Sequence, residues 1–260
     1  MSEPQDNNVT VAAPTDLYPG ERFKDLIEAG VFYGRKRTKT NPRMRPCILT
    51  TRNDIEIINL EKTLEGLEAT SKFLSEKVRT GVSQGRGVVL VVGTQPQAVE
   101  GVLRIAKECD LPFVTVRWLG GLMTNFKVLS KRIEYYKKLK SELKTGGLEK
   151  YTKKERLGFE REIRRMEELF GGLESYTALP DVLLVIDPNS HMGAVREAKR
   201  LKIPVVAYIN TDADPDFVDY PVAGNTKARK SINWFLEKVA ETIREAKHVP
   251  VEPKEPVQAV

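Results

Sequence analysis

Val88-Val89-Leu90-Val91-Val92-Gly93-Thr94 is the stretch that decides the fold. Five consecutive apolar residues lack the in-out alternation of a strand with one wet face, so a strand here is buried on both sides. That burial places it in a parallel sheet between layers of helices. Gly93-Thr94 ends the run. Residues 97–109 follow with Val99, Val102, Leu103 and Ala106 at helical spacing, and 113–116 (Phe-Val-Thr-Val) read as the next strand. Together these make one βαβ unit. Upstream, 22–29 read as a short helix, 55–58 as a strand and 60–79 as an amphipathic helix broken by Gly81. Downstream the alternation returns, with strands at 182–186, 205–209 and 218–222 and helices at 192–201 and 227–247. Strands alternating with helices define an α/β layered sheet.

Between the two halves of this pattern lies Arg117-Trp118-Leu119-Gly120-Gly121-Leu122-Met123-Thr124-Asn125-Phe126. It reads as a joint. The paired glycines allow a turn, Thr124 is suited to cap a helix beginning at Asn125, and Trp118 is read as a core aromatic rather than a base-stacking one. Beyond it, Phe126, Leu129, Ile133 and Tyr136, then Phe159, Ile163, Met166 and Phe170, form two narrow apolar stripes that predict paired helices. Gly146-Gly147 marks the turn, Thr152-Lys153-Lys154-Glu155 is a capping-box pattern, and Gly171-Gly172 is read as the stop. The result is an inserted antiparallel coiled-coil hairpin over 122–172. It sits within an α/β domain at 19–247, flanked by disordered tails at 1–18 and 248–260.

The chain of 260 residues has a formal charge of +6. Residues 127–165 alone hold fourteen Lys or Arg against six Glu, a net of +8, so the basicity is concentrated in the hairpin. A positive rod of two helices, each about 30 Å long at 1.5 Å per residue, fits the phosphates of folded RNA. Some of its charges are expected to pair within a helix, for example Glu134 with Lys138. A second cluster, Arg35, Lys36, Arg37, Lys39, Arg43, Arg45 and Arg52, spans 35–52 with no acidic residue, and is read as a phosphate-contacting arm. The RNA-binding set is therefore Arg35, Lys36, Arg37, Lys39, Arg43, Arg45, Arg117, Asn125, Lys127, Lys131, Arg132, Lys137, Lys138, Lys153 and Lys154. Trp118, Gly120 and Gly121 are its structural joint.

No catalytic residue, metal ligand or cofactor is expected. Cys47 and Cys109 have neither the spacing of a zinc site nor the number of a disulfide framework, which suits a reducing cytoplasmic setting, and no apolar run is long enough to span a membrane. The rival reading is a small-ligand-binding α/β enzyme using the strand ends at Thr94, Asp187 and Asp212. Gly93-Thr94-Gln95-Pro96 lacks the Gly-Lys-Ser/Thr ending of a Walker loop, however, and Gly-x-Gly-x-x-Gly does not occur. The two histidines, His191 and His248, are read as surface or capping residues.

The Arg-Trp-Leu-Gly-Gly…Thr-Asn run occurs in order with Gly93-Thr94, Leu179-Pro180-Asp181 and Val185-Ile186-Asp187-Pro188-Asn189. In this the chain resembles the family of the second protein of the small ribosomal subunit, in its bacterial-type form, from about Phe23 to Ala246. The resemblance implies a flavodoxin-like arrangement of five parallel strands. It also implies a structural role in translation within the cytoplasmic ribosome, binding 16S rRNA and other small-subunit proteins, including the messenger-binding protein one. The long hairpin suits the bacterial type, and an organellar origin stays open. Where the family commonly has His-Phe-Gly-His this chain has Phe32-Tyr33-Gly34-Arg35, so Arg35 is expected to replace a histidine contact with a phosphate contact.

Overall fold

A computed structural model describes residues 18, 20–83, 89–147 and 151–248. Most of the two expected tails lies outside these residues. Tyr18 is an exception to the first tail, since it is buried, donates from its hydroxyl to the Ile58 carbonyl (2.8 Å) and accepts from the Leu60 N–H (3.3 Å).

In chain order the elements are α1 (Lys24–Glu28), β1 (Tyr33–Lys36), β2 (Ile48–Arg52), β3 (Ile55–Ile58), α2 (Leu60–Ser83), β4 (Val89–Val92), α3 (Pro96–Cys109) and β5 (Phe113–Val114). The chain continues through α4 (Phe126–Lys144), α5 (Lys153–Phe170), β6 (Val182–Ile186), α6 (Met192–Arg200), β7 (Val205–Ile209), β8 (Tyr220–Ala223) and α7 (Arg229–His248). Gly81 does not break α2, which continues through it.

Strands β5-β4-β6-β7-β8 form a five-stranded sheet in that order, every pair parallel, with the second strand outside the first. This is the flavodoxin-like order. Strand side chains point alternately to the two faces. Val89, Val91, Leu184, Ile186, Val206 and Tyr208 meet α2, α3 and α7 in one core, while Leu90, Val92, Leu183, Val185, Ala207 and Ile209 meet α6 and the hairpin in the other. Double-sided burial of β4 and β6, each buried at every position, explains why neither strand alternates in sequence.

The hairpin joins the second core. Ile133, Tyr136 and Leu139 of α4 and Ile163, Met166 and Phe170 of α5 are buried with Leu122 and Met123 of the joint. Tyr136 lies by Phe170 (ring centroids 6.5 Å apart) and Lys140 reaches both Glu167 (3.2 Å) and Glu174 (2.7 Å), so the end of α5 packs beside the second half of α4. The turn at Gly146 has φ 76°, a left-handed conformation that favours glycine. The capping box at Thr152 and Glu155 is formed in both directions. Gly171 does not stop α5 in a left-handed turn: its φ is −56°, and a 3-10 turn continues over Gly171–Leu173. Gly172 is needed for a different reason, because a Cβ there would lie 2.4 Å from the Phe113 carbonyl of β5.

A second, antiparallel sheet of order β1-β3-β2 lies against the loop at the carboxyl end of β7, where the Arg35 N–H donates to Thr211. The basic segment is thus not a free arm. Its ends are the strands β1 and β2, and 3-10 turns at Arg37–Lys39 and Pro42–Cys47 connect them. Asn53 and Asp54, both at positive φ, close the β2–β3 hairpin as a two-residue turn of the primed kind.

Candidate nucleic-acid interface

The joint is held by one carboxylate that sequence reasoning missed. Glu197 of α6 accepts from the Trp118 indole N–H (3.0 Å), the backbone N–H groups of Gly121 (2.8 Å), Met123 (3.1 Å) and Thr124 (3.2 Å), and the Thr124 hydroxyl (3.1 Å). Burial pushes this carboxyl up, but the hydrogen bonds from Trp118 and the three backbone amides outweigh it and hold the group below its usual range. Because Thr124 is engaged by Glu197, the cap shifts: Asn125 is the N-cap and α4 begins at Phe126, with no side-chain cap bond. Trp118 is half-buried, packs against the second core and donates to Glu197. Only Gly121 of the glycine pair has a positive φ, 86°.

Beyond the joint, the hairpin presents its cations to solvent. Lys127, Lys131, Arg132, Lys138, Lys153 and Lys154 are exposed and Lys137 is half-buried; Arg117 and Asn125 are exposed beside them. Among the described cations of α4 and α5, Lys140 alone forms ion pairs, with Glu174 (2.7 Å) and Glu167 (3.2 Å), while also donating to the Tyr136 hydroxyl (3.1 Å). These partners push the Lys140 ammonium further above its ordinary range. The expected pairing of Glu134 with Lys138 is not among the ion pairs of the hairpin.

The basic segment is different. Arg35 is paired with Asp212 (3.1 Å), and its backbone N–H donates to the Thr211 hydroxyl (2.8 Å). Arg43 reaches Asp214 (2.9 Å) and Asp216 (2.7 Å). The carboxylates absent from 35–52 are therefore supplied by the loop after β7, more than 170 residues downstream. Lys36, Arg37, Lys39 and Arg45 remain exposed, and among the described residues no ion pair is formed by any of them.

The strand ends that formed the enzyme reading are engaged internally. Asp187 is buried at left-handed φ (60°) and pairs with Lys227 (2.9 Å), Ser190 (3.3 Å) and the Gln95 amide. Burial raises this carboxyl, but Lys227 and Gln95 draw it below its usual range. His191 is not a surface residue; it is 3% exposed. The Thr94 backbone N–H donates to its Nε2 (3.1 Å), which must then carry the lone pair, and its Nδ1 donates to the Asp187 carbonyl (2.9 Å). Burial pushes the imidazole down, and it is neutral at pH 7. Asp212 is occupied by Arg35. Among the described residues no cluster of His, Cys, Asp or Glu has the arrangement of a metal site, and no helix is long and apolar enough to cross a membrane.

A flavodoxin-like sheet whose strand-end carboxylates Asp187 and Asp212 each pair with a cation, carrying two long helices with exposed cations, defines an α/β protein with a basic helical insertion. The chain belongs to the family described as Ribosomal protein S2, whose model matches residues 26–246. Among similar proteins is the small ribosomal subunit protein uS2 of Thermus thermophilus, 39% identical over 230 residues, covering 88% of each chain. The proteins of the same name from Coprothermobacter proteolyticus (39% identity, 86% of this chain and 82% of the relative) and Dehalococcoides mccartyi (38%, 88% and 92%) are comparable.

Proposed function

We propose that this chain docks onto 16S rRNA through the exposed cations of its hairpin, an antiparallel coiled-coil arm, with Lys36, Arg37, Lys39 and Arg45 as a second contact. The chain is a structural constituent of the small subunit of the cytoplasmic ribosome and serves translation without catalysing a reaction. The observation that carries the docking surface is that, among the described residues, no hairpin cation other than Lys140 forms an ion pair. Several cations held together on a rigid element repel one another unless an anion covers them, and RNA phosphates do so with release of counterions. Lys127, Lys131, Arg132, Lys137, Lys138, Lys153 and Lys154 are the hairpin contacts in this reading, with Arg117 and Asn125 at its base. The joint of Trp118, Gly120 and Gly121 sets the arm's direction. Neighbouring small-subunit proteins, including the messenger-binding protein one, are further partners, a reading supported by family membership.

The test is binding of the purified chain to 16S rRNA across a salt series. A log–log slope of about −4 or steeper is expected if five or more cations meet phosphates. A flat slope contradicts electrostatic docking and points to a scaffold that binds proteins.

A further inference from the structure

At two glycines, Gly120 and Gly158, a side chain would stand in open space without any strain of the backbone. A Cβ built on Gly120 or on Gly158 meets nothing within 4 Å, and neither residue is at positive φ. Gly158 lies inside α5, where only proline is less favoured than glycine. Packing therefore explains Gly172 but not Gly158. Both unexplained glycines line the same cleft, about 750 Å³ in volume, between the hairpin and the joint. Leu129, Met166 and Phe170 give it an apolar lining. Arg132, Arg161 and Arg165 stand around it against one carboxylate, Glu162. All three arginines are exposed, and among the described residues none forms an ion pair.

These features point to one kind of occupant. Planar guanidinium forks match phosphate oxygens better than ammonium groups do. Bare helix backbone at a glycine allows a ligand to approach where a side chain would stand. An apolar lining accepts the face of an unstacked base, and pockets for small ligands commonly have volumes of about 300–1,000 Å³. We propose that the cleft holds one unpaired nucleotide of the bound rRNA, its base on the apolar lining and its phosphate under Arg132, Arg161 and Arg165. This rests on the RNA-docking reading and adds a discrete site to it. An acidic protein segment is the competing occupant. Convergence of three guanidinium groups on one small cleft favours the phosphate.

Gly158→Leu in the full chain provides the test, because it fills the cleft without removing a charge. Leucine is a better helix former, so the melting temperature is expected to stay level or rise. Affinity for a 16S rRNA transcript at fixed salt is expected to fall about tenfold or more, with Gly158→Ala losing less. Arg161→Gln with Arg165→Gln, which leaves the cleft open, is expected to make the log–log salt slope shallower by about one to two. Wild-type affinity in a folded Gly158→Leu chain overturns the proposal while leaving general RNA docking intact. Normal RNA binding by that variant with failure to enter small subunits assigns the cleft to a protein segment and also overturns it. If the wild-type chain itself does not bind the transcript, the broader docking reading fails as well.

Discussion

In the segment spanning β1 and β2, Arg35 and Arg43 face Asp212, Asp214 and Asp216, whereas among the described residues of the hairpin Lys140 is the one cation in an ion pair. Both regions read alike as runs of cations. Folding neutralises part of one and leaves the other charged, so a charge run identifies a binding surface only after its distant carboxylates have been placed. The β7 loop, distant in sequence, docks the small sheet onto the large one through those pairs; Lys140 ties α4 to the end of α5 and to Glu174 just beyond it.

The largest expected effect on stability lies at the joint. Glu197→Ala strips the acceptor from Trp118 and three backbone N–H groups, and a loss of about 2 kcal/mol is expected in denaturant unfolding, since some of those donors regain water. A loss under about 0.5 kcal/mol would show that the joint is held by packing alone. Next, Lys140→Gln is expected to cost about 1 kcal/mol with no change in the salt slope of RNA binding, while Lys138→Gln leaves stability level and makes the slope shallower by about 0.7–0.9. The same outcome for both lysines would erase the distinction between bracing and displayed cations.

Smaller still is the release of Arg43. Asp214→Asn with Asp216→Asn is expected to leave stability nearly level, because that arginine is solvent-exposed, and to steepen the salt slope by less than about one. The effect at His191 is one of direction. Its imidazole is pushed down by burial in the folded chain, so the unfolded chain takes up a proton first as the pH falls below about 6.5. The stability from the neutral ring is complete above that pH and is lost as the pH falls toward the folded value. Melting temperatures measured from pH 7 to pH 5.5 should decline for the wild type and stay flatter for His191→Asn.

Much of the fold was legible because β4, β6 and β7 are buried on both faces and announce themselves as unbroken apolar runs. Thr152 and Glu155 were equally plain, since a capping box is local. Glu197 was not legible: a single glutamate on a short helix has no signature when its five donors lie more than seventy residues upstream. Pairing of the 35–52 cations with the β7 loop was hidden for the same reason. Strands β1 and β2 were obscured by the Asn41-Pro42 and Arg45-Pro46 turn signals between them. The candidate RNA surface could be read in outline as a charge excess, but which cations are displayed depends on partners that only the tertiary structure brings close.

The most direct test compares two variants in one salt series against 16S rRNA: one with Lys127, Lys131, Lys138, Lys153 and Lys154 changed to Gln, the other with Arg35 and Arg43 changed to Gln. The account predicts that the hairpin variant loses about 3.5 to 4.5 in log–log slope, while the arginine variant keeps the wild-type slope and loses stability instead. A wild-type slope for the hairpin variant, or a larger loss of slope for the arginine variant, would contradict it.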